Sequence, residues 1–327
     1  MQWRTPFQIA PADRGPFEAP LALGLQGGGA YGAFTWGVLD RLLEDDDMPI
    51  GAISGASAGA VNAVVTAWGL LENGRIGARL ALRQLWEGVG KLSAYSPMGL
   101  PGAGMQFDLM TRLLSPYQFN PLNLNPLRDL LAAMIDFERL KTNCPLPLFI
   151  STTHVPRGEV RIFREHELTI DVLMASACIP TLQQAVEIDG EPYWDGGFSA
   201  NPPLLPMVME TDCRSLLVVK LTPDEEPGAP TAAQEILARL KRILFNAPLL
   251  REIEAIEEMK KAVRNAGKLP ANLARLRDLE MQSIAIGPEF FTSAKASAMN
   301  PKPEMLERLF EAGRKTANGL ILHARNG

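Results

Sequence analysis

The sequence predicts an α/β fold, a sheet covered by helices, because one local pattern occurs twice and further strands follow it. "LALGLQ" is an apolar, strand-like run that breaks into Gly27, Gly28 and Gly29 and resumes as a helix. "IGAISG" does the same, turning through Gly55 to Gly59 into "AGAVNAVVTAWGLL". Strand, tight turn and helix in this order are the rhythm of an α/β protein. The later runs "PLFISTTHV", "EVRIFRE", "AVEIDGEPYWDGG", "SLLVVKL" and "SIAIG" supply the remaining strands.

In chain order, residues 1–20 read as an extended arm rich in proline and charge. Residues 21–225 hold the strand-turn-helix units and form the main domain. Its first helix carries Phe34, Val38, Leu42 and Leu43 on one face. Within it, residues 91–130 lose the rhythm and mix proline, glycine and apolar residues, the composition of a lid or acyl-binding insertion as much as of an ordinary one. Residues 226–327 read as a mainly helical region packed on the same domain. There, Ile236, Leu240, Ile243, Leu250, Ile253, Ile256 and Val263 recur near the helical period. The mixed charges on the polar side favour a helix docked on the core over one lying on a membrane interface.

With 327 residues, 46% of them hydrophobic and 21% charged, the chain has enough apolar material for one large domain. A net charge of −5 offers no electrostatic footprint for nucleic acid. Cys144, Cys178 and Cys213 lack the spacing of a zinc or redox motif and read as buried free thiols. No metal ligands cluster, and no cofactor is implied. The N-terminal stretch has no apolar core of signal-peptide length, and no run reaches the roughly 18 apolar residues of a membrane span. The expectation is a cytoplasmic protein, with peripheral membrane contact compatible with it.

The chemistry is concentrated at the second turn. Gly55-Ala56-Ser57-Ala58-Gly59 is G-x-S-x-G between an apolar strand and a helix. Such a turn holds its serine in a strained conformation and tolerates only small neighbours, which here are all Gly or Ala. The helix that follows aims its N-terminal amides at the hydroxyl. A serine needs a base to become nucleophilic. His154 ends a strand, His166 lies in a charged stretch and His323 sits near a helix end, so none has the setting of a catalytic histidine. Asp195, in "EPYWDGGFSANPPL" before Gly196 and Gly197, is the better candidate, although an aspartate before glycines is by itself an ordinary turn signal.

In this order, "GLQGGGAYGAF", "GASAG" and "DGGFSANPP", with "LMASACIPTLQQAVEIDGEPYWDGG" leading into the last, resemble the patatin-like phospholipases. The resemblance covers roughly residues 21–221, and two segments, "LQGGGAYGAFTWGVLDRLLED" and "FNPLNLNPLRDLL", look most like a bacterial branch. It implies a three-layer fold with a central, mostly parallel sheet flanked by helices. It also implies a serine lipid acyl hydrolase that cleaves carboxylic esters of phospholipids, lysophospholipids or other hydrophobic esters. By position, Ser57 matches the nucleophile, Asp195 its general base, and Gly27, Gly28 and Gly29 the oxyanion-hole loop, with Gly55, Gly59, Gly196 and Gly197 as supporting turns. The family commonly has Arg or Lys two residues after the triple glycine, where this chain has Tyr31, and Gln26 stands where many members carry Asp or Gly.

Other readings are an acyltransferase using the same acyl-enzyme, and a catalytically silent membrane-surface or scaffolding protein. Gly27, Gly29 and Gly32 also satisfy G-x-G-x-x-G, but no acidic ribose-binding residue is clearly placed at the end of the second strand.

Overall fold

Five parallel strands make up most of the sheet, and the polypeptide enters it at β1 (Leu21–Leu25). A computed structural model describes residues 20–46, 48–94, 110, 111, 113–291 and 302–326. The predicted arm, residues 1–19, and the core of the predicted insertion, residues 95–109 and 112, lie outside the described residues.

β1 lies between β2 (Ile50–Gly55) and β7 (Ser215–Lys220), parallel to both. Outside β2 lies β3 (Leu148–His154), also parallel, and outside β7 lies β8 (Glu280–Ala285). The antiparallel strands gather at one edge. β4 (Glu159–Arg164) and β6 (Glu191–Asp195) both pair with β3, and β5 (Val186–Ile188) pairs with β6. All five strand-like runs of the sequence are strands, and β8 places part of the C-terminal region in the central sheet.

The central strands β1 and β7 are apolar on both faces because both faces are covered. Along β1, Leu21, Leu23 and Leu25 point into one core and Ala22 into the other. The first core is closed by α1 (Gly32–Leu43) and α2 (Ala58–Ala94), the latter interrupted at Asn73 and Gly74. The second is closed by α7 (Leu205–Glu210), α8 (Ala233–Val263) and α9 (Ala271–Asp278). Between β2 and β3 run α3 (Pro116–Phe119), α4 (Pro126–Met134) and α5 (Phe137–Asn143), and α6 (Ile170–Ser176) follows β4. Lys91 to Leu130 is therefore less irregular than its composition suggests, since α2 extends into it and α4 begins within it. Asn125 caps α4 by accepting the Arg128 N–H at 3.2 Å.

Two expectations are corrected. Phe34, Val38, Leu42 and Leu43 are buried, but so is almost all the rest of α1, because α10 (Pro303–Asn326) covers its outer side. The crossing is close enough that a Cβ on Gly37 would stand 2.0 Å from the Phe310 carbonyl oxygen, and one on Gly313 2.1 Å from that of Phe34. Asp40 is buried at this junction and paired with Arg79 and Arg314. The long C-terminal helix is docked only in part: Leu249 and Ile256 of α8 are buried, whereas Ile236, Leu240, Ile243 and Leu250 are about half exposed. Among the cysteines, Cys178 and Cys213 are buried and Cys144 is only half-buried; all three are free thiols.

Candidate active site

β1 lies between the parallel strands β2 and β7, so the loops after these three strands meet at the C-terminal edge of the sheet. Gly27, Gly28 and Gly29 follow β1, and Ser57 follows β2. Register brings Asp195 to the same level. Gly55, the last residue of β2, pairs with Ile150 of β3, and Thr152, two residues further along β3, pairs with Asp195, so Asp195 stands beside the turn that carries Ser57.

Ser57 has φ 52°, a left-handed conformation uncommon for a residue with a side chain. The surrounding turn holds it there. The Ser57 N–H donates to Ser176 Oγ at 3.1 Å, and its carbonyl accepts the Val61 N–H at 3.0 Å. Gly59 cannot be larger, since a Cβ there would come within 2.0 Å of the Leu25 carbonyl oxygen. Ser57 immediately precedes α2, whose N-terminus carries the positive end of the helix dipole.

Asp195 is fully buried. Its backbone N–H donates to the Cys178 carbonyl at 2.8 Å, and its own carbonyl accepts from Thr153 Oγ1 at 2.8 Å. One carboxylate oxygen, Oδ1, accepts the Gly197 N–H at 2.7 Å. Burial pushes the carboxyl up to about pKa 7, against the Gly197 amide and the Ser57 hydroxyl, both of which favour the charged form. The hydroxyl is near enough to exert that pull, yet Oδ2 is buried without a well-aligned hydrogen-bond partner among the described residues. A carboxyl balanced near neutrality with one open acceptor position is equipped to take a proton from its neighbour.

The three amides of the glycine loop differ in their partners. Gly27 gives its N–H to Asn201 Oδ1 at 2.7 Å, and there is no room for a side chain, since a Cβ would lie 2.7 Å from that of Ser57. The amides of Gly28 and Gly29 have no acceptor among the described residues. Gly29 has φ 58° and opens a short 3₁₀ turn through Tyr31. The loop's far side rests on the β7 end: Gln26 Oε1 accepts the Leu221 N–H at 2.6 Å and Gln26 Nε2 donates to Asn246 Oδ1 at 3.1 Å.

With this geometry in place, comparison with known proteins is decisive. The family model described as "Patatin-like phospholipase" matches residues 23–208, more than half of the chain. The chain belongs to the patatin-like phospholipase family. The uncharacterized protein YjjU of Escherichia coli is 24% identical over 288 residues, 85% of this chain and 74% of that one. Human GIVD cytosolic phospholipase A2, solved with methyl gamma-linolenyl fluorophosphonate, shares the fold at 13% identity and a TM-score of 0.50, over 94% of this chain and 58% of that one. VipD from Legionella pneumophila aligns at 17% identity with a TM-score of 0.48, over 93% and 67% of the respective chains. As a patatin-like phospholipase the protein is a lipid acyl hydrolase. No helix among the described residues is long and apolar enough to cross a membrane.

The remaining sequence candidates lie around this candidate site or apart from it. Gly196 opens the short turn after Asp195, and Gly197 packs against Phe245 of α8. Tyr31 is half-buried, with its ring 4.7 Å from that of Phe291, and burial raises its pKa against the pull of nearby Arg242. His154 bonds Glu191 at 3.0 Å and His166 is exposed beside Glu165; among the described residues neither bonds Ser57. No group of three His, Cys, Asp or Glu side chains among the described residues is arranged to hold a metal. Sequence reading missed Asn201, which stands in the quoted "DGGFSANPP" but has no chemistry of its own to attract attention. It also missed Phe245 and Asn246, which lie in an amphipathic helix whose contacts depend on tertiary structure.

Proposed function

We propose that Ser57 is the nucleophile and Asp195 the general base of an ester hydrolysis that proceeds through an acyl-enzyme. Asp195 takes the Ser57 hydroxyl proton as Oγ bonds to the ester carbonyl carbon. The tetrahedral oxyanion is received by the amides of Gly28 and Gly29, the two members of the glycine triplet whose N–H groups are uncommitted. Collapse breaks the ester C–O bond, and Asp195 returns the proton to the departing alcohol. Water then enters and adds to the acyl carbon while giving a proton to Asp195, and as the acyl–Oγ bond breaks to release the acid, Asp195 returns that proton to Ser57 Oγ.

The observation that carries this reading is the buried Asp195, balanced near neutral pH with an unoccupied oxygen beside a strained serine. The substrates proposed are phospholipids and lysophospholipids first, and other hydrophobic esters next. The test is hydrolysis of a lipid panel by the wild type and by Ser57→Ala. Release of fatty acid that is lost in the variant supports the reading; equal release by both overturns it. Transfer of the acyl group to an added alcohol in preference to water would identify a transferase instead.

A further inference from the structure

The half of α8 nearest the active site has two faces with different surroundings. Residues 236–250 span about 20 Å of helix. On the inner side, Phe245 packs on Gly197 and edge-on against Phe198, with ring centroids 4.8 Å apart. Asn246 bonds Gln26, and the Phe245 carbonyl accepts from Asn201 Nδ2 at 2.8 Å. The same turns therefore touch the Asp195 turn and the bonds that hold the glycine loop.

On the outer side stand Ile236, Leu237, Leu240, Ile243, Leu244 and Leu250, between 43% and 55% exposed. At 100° per residue they occupy about 140° of the helix circumference, a continuous aliphatic stripe opposite Phe245 and Leu249. Nothing among the described residues buries this stripe, whereas the next turns, through Ile256, are docked on the sheet.

Charge follows the same division. Residues 233–251 carry Arg239, Lys241, Arg242 and Arg251 against the single Glu235, in a chain of net charge −5. Glu226 offsets part of this by pairing with Arg239 and Arg242. Residues 252–263, on the docked half, reverse the sign, with Glu252, Glu254, Glu257 and Glu258 against Lys260 and Lys261. An exposed aliphatic stripe with local positive charge is complementary to an apolar layer beneath anionic headgroups. A protein partner would be expected to meet aromatic anchors, and the stripe has none.

We propose that this face of α8 docks the enzyme on anionic phospholipid surfaces, with the stripe inserted among the lipids and the Asp195 turn on the opposite side of the helix. This deepens the hydrolase reading and rests on it. The inner contacts give the placement a purpose, because a lipid drawn from the surface next to α8 arrives beside Phe198 and Phe245 at the Asp195 turn.

The test uses the full chain with Ser57→Ala, so that vesicles stay intact, and measures co-sedimentation with vesicles of equal phosphatidylglycerol and phosphatidylcholine. The pair Leu240→Glu and Ile243→Glu should weaken binding at least tenfold. Ile76→Glu, at a 66% exposed site whose helix pairs through Arg79 with the far end of α1, should leave it unchanged. Thermal unfolding confirms that each variant folds. Undiminished binding by the double variant overturns the proposal, as does absence of binding by the parent. So does a dimer, seen by analytical ultracentrifugation, that the double variant dissociates, since the face would then join two copies. A parallel assay on a soluble short-chain ester separates the two readings. Ser57-dependent hydrolysis without vesicle binding refutes the docking face alone. Vesicle binding without Ser57-dependent hydrolysis refutes the catalytic reading alone.

Discussion

The carboxamide of Asn201 bonds Gly27 at 2.7 Å through its oxygen and the Phe245 carbonyl at 2.8 Å through its nitrogen. One fully buried side chain thus fastens the glycine loop to α8. Asn201→Ala leaves a buried amide without an acceptor, a loss of about 1–3 kcal/mol, and frees the loop beside Ser57. The expected result is a fall in kcat of roughly tenfold or more, with KM for a soluble ester little changed. Steady-state kinetics alongside thermal unfolding would check it; a proportional rise in KM with kcat intact would place Asn201 in substrate binding.

The proposed role of Asp195 as base would tie catalysis to stability through pH. Its carboxyl is raised from 3.8 to about 7 by burial, so between those values the folded protein keeps a proton that the unfolded chain has released. Stability from this group is complete below about pH 4 and declines as pH rises to about 7. Asp195→Asn stays neutral and escapes the decline. The variant should match the wild type near pH 4 and exceed it at pH 8, by at most on the order of 4 kcal/mol, while losing turnover. Urea unfolding of both proteins at the two pH values measures the difference.

The same balance predicts the rate profile. The kcat/KM of the wild type on a soluble ester should rise with pH through about 7, as Asp195 becomes an available base. A flat profile between pH 5 and 8 would disconnect Asp195 from the step.

Within the glycine loop the three positions should differ. Gly28→Ala places a Cβ 3.0 Å from the movable Leu221 side chain, and Gly29→Ala strains a backbone at φ 58° by about 1 kcal/mol. Both should fold and lose kcat through displaced amides. Gly27→Ala meets the Ala56 carbonyl at 2.8 Å and the Ser57 Cβ at 2.7 Å, and should show the largest loss of folded protein. Comparing soluble yield, unfolding midpoint and kcat across the three variants checks the order.

The fold was readable where periodicity and turn chemistry agree. β1 and β2 with their glycine turns, and the aspartate turn after β6, are local patterns, and local chemistry positions them. The burial of α1 on all sides was not readable, because it depends on α10, some 270 residues away, crossing at Gly37 and Gly313. Nor was the division of α8, whose apolar residues keep one period while only the second half meets the sheet. In the site, Ser57 and Asp195 carry motifs, whereas Asn201 acts through hydrogen bonds at a sequence separation of 174 residues and leaves no periodic trace.

In the proposed mechanism Ser57 attacks the ester and Asp195 activates it. Reaction with a fluorophosphonate probe, followed by peptide mass spectrometry, tests it most directly. A single adduct on Ser57 is expected, absent in Ser57→Ala and formed far more slowly in Asp195→Asn at pH 8. An adduct on another residue, or undiminished labelling of Asp195→Asn, would contradict the account.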